Sequence, residues 1–498
     1  MEIIFDSQEV MAYKEVSHQL RRIQESAECV VPDTDADIEK IISVQSAVYL
    51  KSKDLTSRGL LISGELAACV IYIGDGEAGI CNVRVRKPFT MEFEAEGLES
   101  ESLAQISLRI QGTDVRMVNP RKISVMFESE GELSCYGTTK LCVEASLPEN
   151  APGLYAKTET HSITLLNAVC EKSIAVNEQF PLQSGTAGLQ RLITETASIQ
   201  ISDSQLLGSK MIIKGNVEIS VCILSEERDI PAFFTFSSPF SQILDVGVEN
   251  VQCSRVRPEI TGAYFDLIDT INGGKALDVE LHAVLQLTCF ESREIHCISD
   301  AYSNLMPAEL ICAQQETALD PTVRIKRLST HEQIALTEPC RELLHVFSTL
   351  TRVSAEDGRL SAALVLDFLY RSEENRLSVC RRTITFSEET EEKLLQLIHA
   401  GEPQLDARLN GDSVDCTVAM ILECADRQRE LFTMVQGIKL DEERAYSQAS
   451  LPTLTLIRRE GESLWGLAKK YHSSVEKIRE LNEDAENSTR MLLIPKCI

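Results

Sequence analysis

The sequence predicts a mainly β, multi-domain protein: three β-rich units, each an antiparallel sandwich or open barrel, followed by a small βααβ module. Three observations carry this expectation. The chain has 498 residues, enough for several separate cores. A strand pattern returns at a domain-sized spacing of roughly 150 residues, far longer than a solenoid unit. Residues 453–498 abandon that pattern for apolar residues at helical spacing.

The recurring strand reads Ile62-x-Gly64-x-Leu66-x-Ala68-x-Val70-x-Tyr72. It returns as Ile213-x-Gly215-x-Val217-x-Ile219-x-Val221-x-Ile223 and, more weakly, as Ala362-x-Leu364-x-Leu366-x-Phe368-x-Tyr370. Lys214, Asn216, Glu218 and Ser220 fill the alternate positions of the second version, so one face of that strand is wet. Pro88-Phe89 is answered by Pro239-Phe240. A later strand also recurs, with Ile123, Val125 and Phe127, then Leu277 to Leu285, then Val414 to Leu422 at alternate positions. Each unit is expected to open with a strand and a short helix, Asp37 to Ile42 in the first and Leu189 to Ile193 in the second. Proline-bearing stretches at Pro148–Gly153, Pro307–Pro321 and around Pro452 place the units at 1–147, 154–306, 321–450 and 453–498.

In the last of these, Leu464, Leu467, Ala468 and Tyr471 form one helical stripe, with Ser463 as its cap. Ser473 and Glu476 have capping-box spacing for a second helix, whose buried face would be Val475, Ile478 and Leu481. Thr453–Ile457 and Met491–Pro495 read as flanking strands, the second ended by a proline that cannot donate to a ladder.

Lys and Arg total 49 against 76 Asp and Glu, a net charge of −27. So acidic a surface repels phosphate backbones, and nucleic acid is not an expected partner. From Leu451 onward eight basic residues face seven acidic ones, a net of +1, so the remainder carries −28. The N-terminus lacks the basic and apolar regions of a signal peptide, and no apolar run is long enough to span a bilayer. The sixteen cysteines include no Cys-x-x-Cys pair and sit in strand-like contexts, as expected of small core side chains in a reducing compartment.

Several patterns imitate chemistry. Asp33-x-Asp35-x-Asp37 begins like a calcium loop, but Ile38 and Val44 stand where glycine and glutamate are needed; turn formation and helix capping by Asp37 are the expected roles. Gly74-Asp75-Gly76-Glu77-Ala78-Gly79 has the letters of a dinucleotide fingerprint, yet a strand follows it rather than a helix, so Asp75-Gly76 reads as a hairpin turn. Gly461-Glu462-Ser463-Leu464-Trp465-Gly466 falls one residue short of a serine nucleophile elbow. No histidine pair has helical zinc spacing. No metal, cofactor or catalytic residue is nominated. Trp465, the only tryptophan, lies off the helical stripe; it either packs at the edge of the module or anchors a partner.

The blocks Gly461-Glu462-Ser463-Leu464-Trp465, Ala468-Lys469-Lys470-Tyr471, Leu481-Asn482 and Leu492-Leu493-Ile494-Pro495 resemble a LysM domain. That resemblance implies partner or glycan contacts at Gly461, Glu462, Ser463, Leu464, Trp465 and Asn482, with N-acetylglucosamine chains as the usual ligand. Val30-Val31-Pro32-Asp33-Thr34-Asp35-Ala36-Asp37-Ile38, ahead of a long strand, resembles the SPOCS domain of clostridial spore proteins, with Pro32, Asp33, Asp37 and Ile38 as its motif residues. The combination is similar to SipL-type spore coat morphogenesis scaffolds. It implies a non-enzymatic protein of the mother-cell cytoplasm, held at the forespore surface, whose LysM module docks the ATPase of the coat basement layer. A cell-wall or cortex protein that binds peptidoglycan is the alternative.

Overall fold

The computed structural model describes residues 1–56, 59–76, 78–94, 103–149, 151–182, 189–225, 228–270, 274–318, 321–356, 358–391, 395–426, 429–446, 453–458, 461–482 and 491–497. In a first section, β1 (Glu2–Ile4) is followed by β2 (Asp6–Val30), β3 (Ile38–Thr56), β4 (Gly59–Gly74), β5 (Ile80–Glu94), β6 (Leu103–Asn119) and β7 (Lys122–Ser146). The second contains β8 (Leu154–Pro181), β9 (Leu189–Leu207), β10 (Lys210–Ser225), β11 (Arg228–Asp245), β12 (Cys253–Asp269) and β13 (Lys275–Ser303). The third runs through β14 (Ala308–Ala318), β15 (Val323–Ala335), β16 (Cys340–Glu356), β17 (Arg359–Ser372), β18 (Leu377–Glu389), β19 (Leu395–Ala400), β20 (Gln404–Asn410), β21 (Ser413–Asp426) and β22 (Arg429–Leu440). The tail is β23 (Leu454–Arg458), α1 (Leu464–Lys470), α2 (Val475–Leu481) and β24 (Met491–Pro495).

One strand plan recurs. The three-stranded sheets β3-β4-β5, β9-β10-β11 and β16-β17-β18 each pack against other strands of the same section: β2, β6 and β7 in the first, β8, β12 and β13 in the second, and β15, β19, β20 and β21 in the third. In the first section Ile62, Leu66, Val70 and Tyr72 of one sheet meet Ile106, Val125, Phe127 and Leu133 of the other, an apolar core between two layers. Equivalent cores fill the second and third sections. The wet face read on β10 is present, with Lys214 and Ser220 exposed between buried Ile213, Val217, Ile219 and Val221. The Pro-Phe recurrence has a packing cause. Phe89 lies opposite Gly64 and Phe240 opposite Gly215; a Cβ at Gly64 would come within 2.4 Å of the Phe89 ring, and one at Gly215 within 2.8 Å of the Phe240 ring. Each ring lies where a side chain would otherwise stand.

The two helices expected at 37–42 and 189–193 are strands. β3 begins at Ile38 and pairs with β4, and β9 begins at Leu189 and pairs with β10. Side chains of Leu189 and Gln190 lie outside the described residues, as do Glu77 of the hairpin, Pro452 of the proposed linker and residues 483–490 before the last strand. Asp37 therefore caps no helix. The spacing Ile38, Ile41, Ile42 imitates a helical stripe because β-bulges shift the register, skipping Glu39 and then Ile42. Ile38 and Ile41 then face the core of the first section, while Ile42 faces away.

That outward face is shared by all three sections. Ile42, Ile71 and Ile80 pack with Ile193 and Cys222 of the second section and with Phe347 and Leu369 of the third. Ile42, Ile193 and Leu344 are each the residue that a bulge displaces from the ladder, at corresponding places in β3, β9 and β16. Beside this junction lies a cavity of about 350 Å³ to which every section contributes, among them Tyr49 and Arg109, Ser198 and Glu259, and Thr349 and His399. Burial pushes the Glu259 carboxyl up to about 8 and the His399 imidazole down to about 4. Glu132, nearby, goes the other way: burial opposes its charge, but His18, Arg257, Arg109 and Gln396 outweigh that and hold the carboxyl well below the usual range.

The sections also exchange strands. Sheet order β12-β13-β8-β2-β7-β6 crosses from the second section into the first, with one parallel bridge, His296 to Glu144. β1 pairs with β22, so the start of the chain lies in the sheet of the third section. The stretch Pro307–Pro321, read as a boundary, carries β14, which pairs with β22 from the other side. Ten of the sixteen cysteines are buried and all are free thiols. Burial pushes those of Cys222 and Cys289 up to about 12, which suits inert core filler.

Candidate functional site

The tail folds as its apolar spacing requires. Leu464, Leu467 and Ala468 of α1 and Ile478 of α2 are buried with Leu492 and Ile494 of β24, and β24 pairs antiparallel with β23. Ser463 is the N-cap of α1, its hydroxyl accepting from the Gly466 amide at 3.1 Å. The second cap is corrected: Ser474, not Ser473, accepts from the Lys477 amide at 3.2 Å. Ser473 instead gives its carbonyl to Tyr302 of β13. Leu481, expected in the buried face, is 49% exposed at the end of α2.

The nominated tail residues divide by role. Gly461 has φ +88°, a left-handed turn suited to glycine. Exposed Glu462 pairs with Lys470 at 3.1 Å. Leu464 is core. The Asn482 amide donates to the Ile478 and Leu493 carbonyls at 2.7 and 2.8 Å and accepts from the Leu493 amide at 2.9 Å, tying α2 to β24. Those bonds give Asn482 a structural duty. Gly461 to Trp465 make one corner of the module, with Trp465 at its inner edge.

Trp465 is engaged across the chain. Its indole Nε1 donates to Asp300 Oδ2 at 2.7 Å, and Lys469 Nζ, one helical turn on, donates to Asp300 Oδ1 at 2.7 Å and Oδ2 at 3.0 Å. Burial opposes the charge of Asp300, but Lys469, Trp465 and the Ala301 amide outweigh it and hold its carboxyl below the ordinary value. The indole also meets Tyr302 edge-on, with ring centroids 4.9 Å apart, and Tyr302 stacks on Tyr155 of β8 at 5.2 Å. The Tyr302 hydroxyl donates to the Ser473 carbonyl at 2.7 Å, and Asn304 donates to the Cys497 carbonyl. A bulge that skips Ser299 sits just before Asp300 in β13. Nothing in the sequence marks Asp300, Tyr302 or Tyr155, because Asp300 and Trp465 are 165 residues apart.

The other nominated residues form a second cluster. Arg121, from the β6–β7 turn, reaches Asp37 Oδ1 at 2.5 Å, Asp33 Oδ1 at 3.2 Å and the carbonyls of Pro32 and Val31 at 2.9 and 3.1 Å. Asp35 pairs with Arg191 of the second section at 3.4 Å. Ile38 is buried in the first core, and Pro32 and Asp33 are exposed. This acidic turn is thus a guanidinium clamp that closes the first sandwich. Among the described residues no group of three or more His, Cys, Asp or Glu side chains could hold a metal, and no helix is long and apolar enough to cross a membrane.

Comparison with known families matches the SPOCS domain of SipL over residues 37–118 and the LysM domain over residues 459–493. The first match covers β3 to β6, and the second covers the tail from the turn before α1 into β24. No curated protein and no solved structure gives a match. Both families are binding or scaffold domains. The chain therefore carries a SipL-type SPOCS domain in its first section and a LysM domain at residues 459–493, the domains of a sporulation-related protein.

Proposed function

We propose that the chain is a non-enzymatic scaffold of endospore envelope assembly, working on the mother-cell side of the forespore surface. Its three sections act as SPOCS-like repeats, at 1–147, 154–306 and 321–450, and its LysM tail docks the ATPase-type protein of the coat basement layer. The observation that carries this reading is the contrast in how the parts are joined. The three sections share a core and exchange strands, forming one body. The tail has a small core to which the body adds only Tyr302 and Tyr155, and it meets that body along α1 and the turn at Ser473, chiefly through polar and aromatic contacts. A module attached in this way can part from the body and then present Trp465 to a partner.

A second reading, binding of N-acetylglucosamine glycans, is favoured by the LysM match and by the exposed Gly461-Glu462-Ser463 turn beside Trp465. One experiment separates the two. The full chain and a chain ending before Leu451 are tagged in sporulating cells, scored for position and for co-purification of the basement-layer ATPase, and sedimented with purified peptidoglycan. The scaffold reading expects the full chain to ring the forespore with the ATPase, and the shortened chain to lose both. Normal placement of the shortened chain contradicts it, and tail-dependent sedimentation without the ATPase supports the glycan reading.

A further inference from the structure

The geometry points to an intramolecular latch: the second section holds the LysM tail through Asp300 in a closed state that shields Trp465, and a partner must displace this contact. The inference rests on reading Trp465 as the tail's partner-facing anchor.

The second section is specialised for this contact. β8 and β13 remain paired out to Leu154 and Ser303, whereas β2 and β7 part at Asp6 and Ser146. The extra length of this second strand pair carries Tyr155, Asp300 and Tyr302, the residues that meet the tail. Asp300 satisfies the indole and the Lys469 ammonium with a single carboxylate, and Tyr302 covers the ring edge-on. The charged part of this contact is open to water, the side chain of Asp300 being 25% exposed and that of Lys469 44% exposed, while the Tyr302–Ser473 bond beside it is buried. Solvent and salt weaken an ion pair of that kind, so it suits a contact that opens, unlike a dry core. The charges also fit. The tail is slightly positive and the remainder strongly negative, so the closed state is favoured at low ionic strength.

Because Trp465 is the only tryptophan, fluorescence excited at the red edge of the absorption band, beyond the ten tyrosines, reports the surroundings of this one indole. Acrylamide quenching is measured for the wild type, Asp300→Ala, Asp300→Asn and Lys469→Ala. Lys469→Ala leaves β13 untouched, so it separates release from misfolding of the body. The latch expects higher quenching and red-shifted emission in Asp300→Ala and Lys469→Ala, an intermediate change in Asp300→Asn, whose amide oxygen still accepts from the indole, and near-wild-type quenching in Lys469→Arg, which keeps the charge. Unchanged quenching in both Asp300→Ala and Lys469→Ala overturns it.

The same proteins are then scored by ATPase co-purification and peptidoglycan sedimentation beside Trp465→Ala. Opening should strengthen the tail-dependent signal by on the order of tenfold, since apparent affinity scales with the open fraction. A fall in that signal on Asp300→Ala, with quenching raised, would make Asp300 part of the binding face and overturn the latch. A signal that does not change on Trp465→Ala removes the underlying reading of the site, whatever the quenching shows, and with it the regulatory role.

Discussion

The two ends of the chain are both fastened to distant parts of it, by opposite means. At the start, β1 joins the edge of β22 by backbone pairing, Glu2 to Lys439 through Ile4 to Gly437, and Phe5 is buried with Met434, Val435 and Ile438. At the other end, the tail is held by one carboxylate, two tyrosines and a few side-chain bonds, with its charged pair reached by water and only Tyr302 and its bond to Ser473 buried. Backbone pairing plus a dry apolar anchor gives a permanent closure. A half-wet charged contact, worth about 1.5–3 kcal/mol per hydrogen bond at most and less where solvent screens it, gives a reversible one. The difference separates the scaffold from the part that works on it.

The predictions probe that contrast in order of size. Phe5→Ala should destabilise the body by about 3–5 kcal/mol, the usual cost of a large cavity in a core, seen as a lower urea midpoint. A loss as small as that from an exposed site would place the first strand among the loose contacts. Gly64→Ala forces a methyl group into the Phe89 ring and the Tyr49 carbonyl, within 2.7 Å of the latter; a loss of about 1–3 kcal/mol is expected from overpacking, partly relieved by adding Phe89→Leu. Arg121→Ala should loosen the turn at 31–37 and cost about 1–3 kcal/mol, with faster proteolysis there and no change in Trp465 fluorescence.

Protonation gives a finer test of the shared junction. The Glu259 carboxyl is raised to about 8 by burial, so the folded state holds its proton where the unfolded chain, near 4.5, has lost it. Stability from this group is complete below about 4.5 and is lost as pH rises through about 8. Glu259→Gln should therefore flatten the fall in Tm between pH 5 and pH 8.5, within the roughly one-unit precision of such shifts. Glu132, held low, contributes in the opposite sense and is lost only in acid. An unaltered pH profile in Glu259→Gln would mean that water reaches this carboxyl.

Much of the scaffold was legible because period-two alternation is strong where a strand faces a core, as at Ile62 to Tyr72 and Val414 to Leu422. What failed was local. Ile38, Ile41 and Ile42 read as a helix because the bulge at Glu39 lets Ile38 and Ile41 share a face at an odd spacing while the bulge at Ile42 turns that side chain to the other face, and a bulge is fixed by the partner strand rather than by the residues themselves. In the tail, the helical stripe and the Ser463 cap were readable from short-range spacing. Exposed Leu481 was not, because burial at a helix end depends on what packs over it. The residue that holds Trp465 was beyond reach, since no periodicity connects β13 to α1. The acidic turn at Pro32 to Asp37 was visible as a motif, but its partner Arg121 lies 84 residues beyond Asp37.

The most direct test of a releasable tail on a permanent body is amide hydrogen exchange on the full chain and on a chain ending before Leu451. The account predicts that removing the tail speeds exchange at Leu154–Lys157 and Ile298–Ser303, and leaves the shared junction around Ile42, Ile193 and Phe347 unchanged. Faster exchange throughout the body, or no change at Ile298–Ser303, would contradict it.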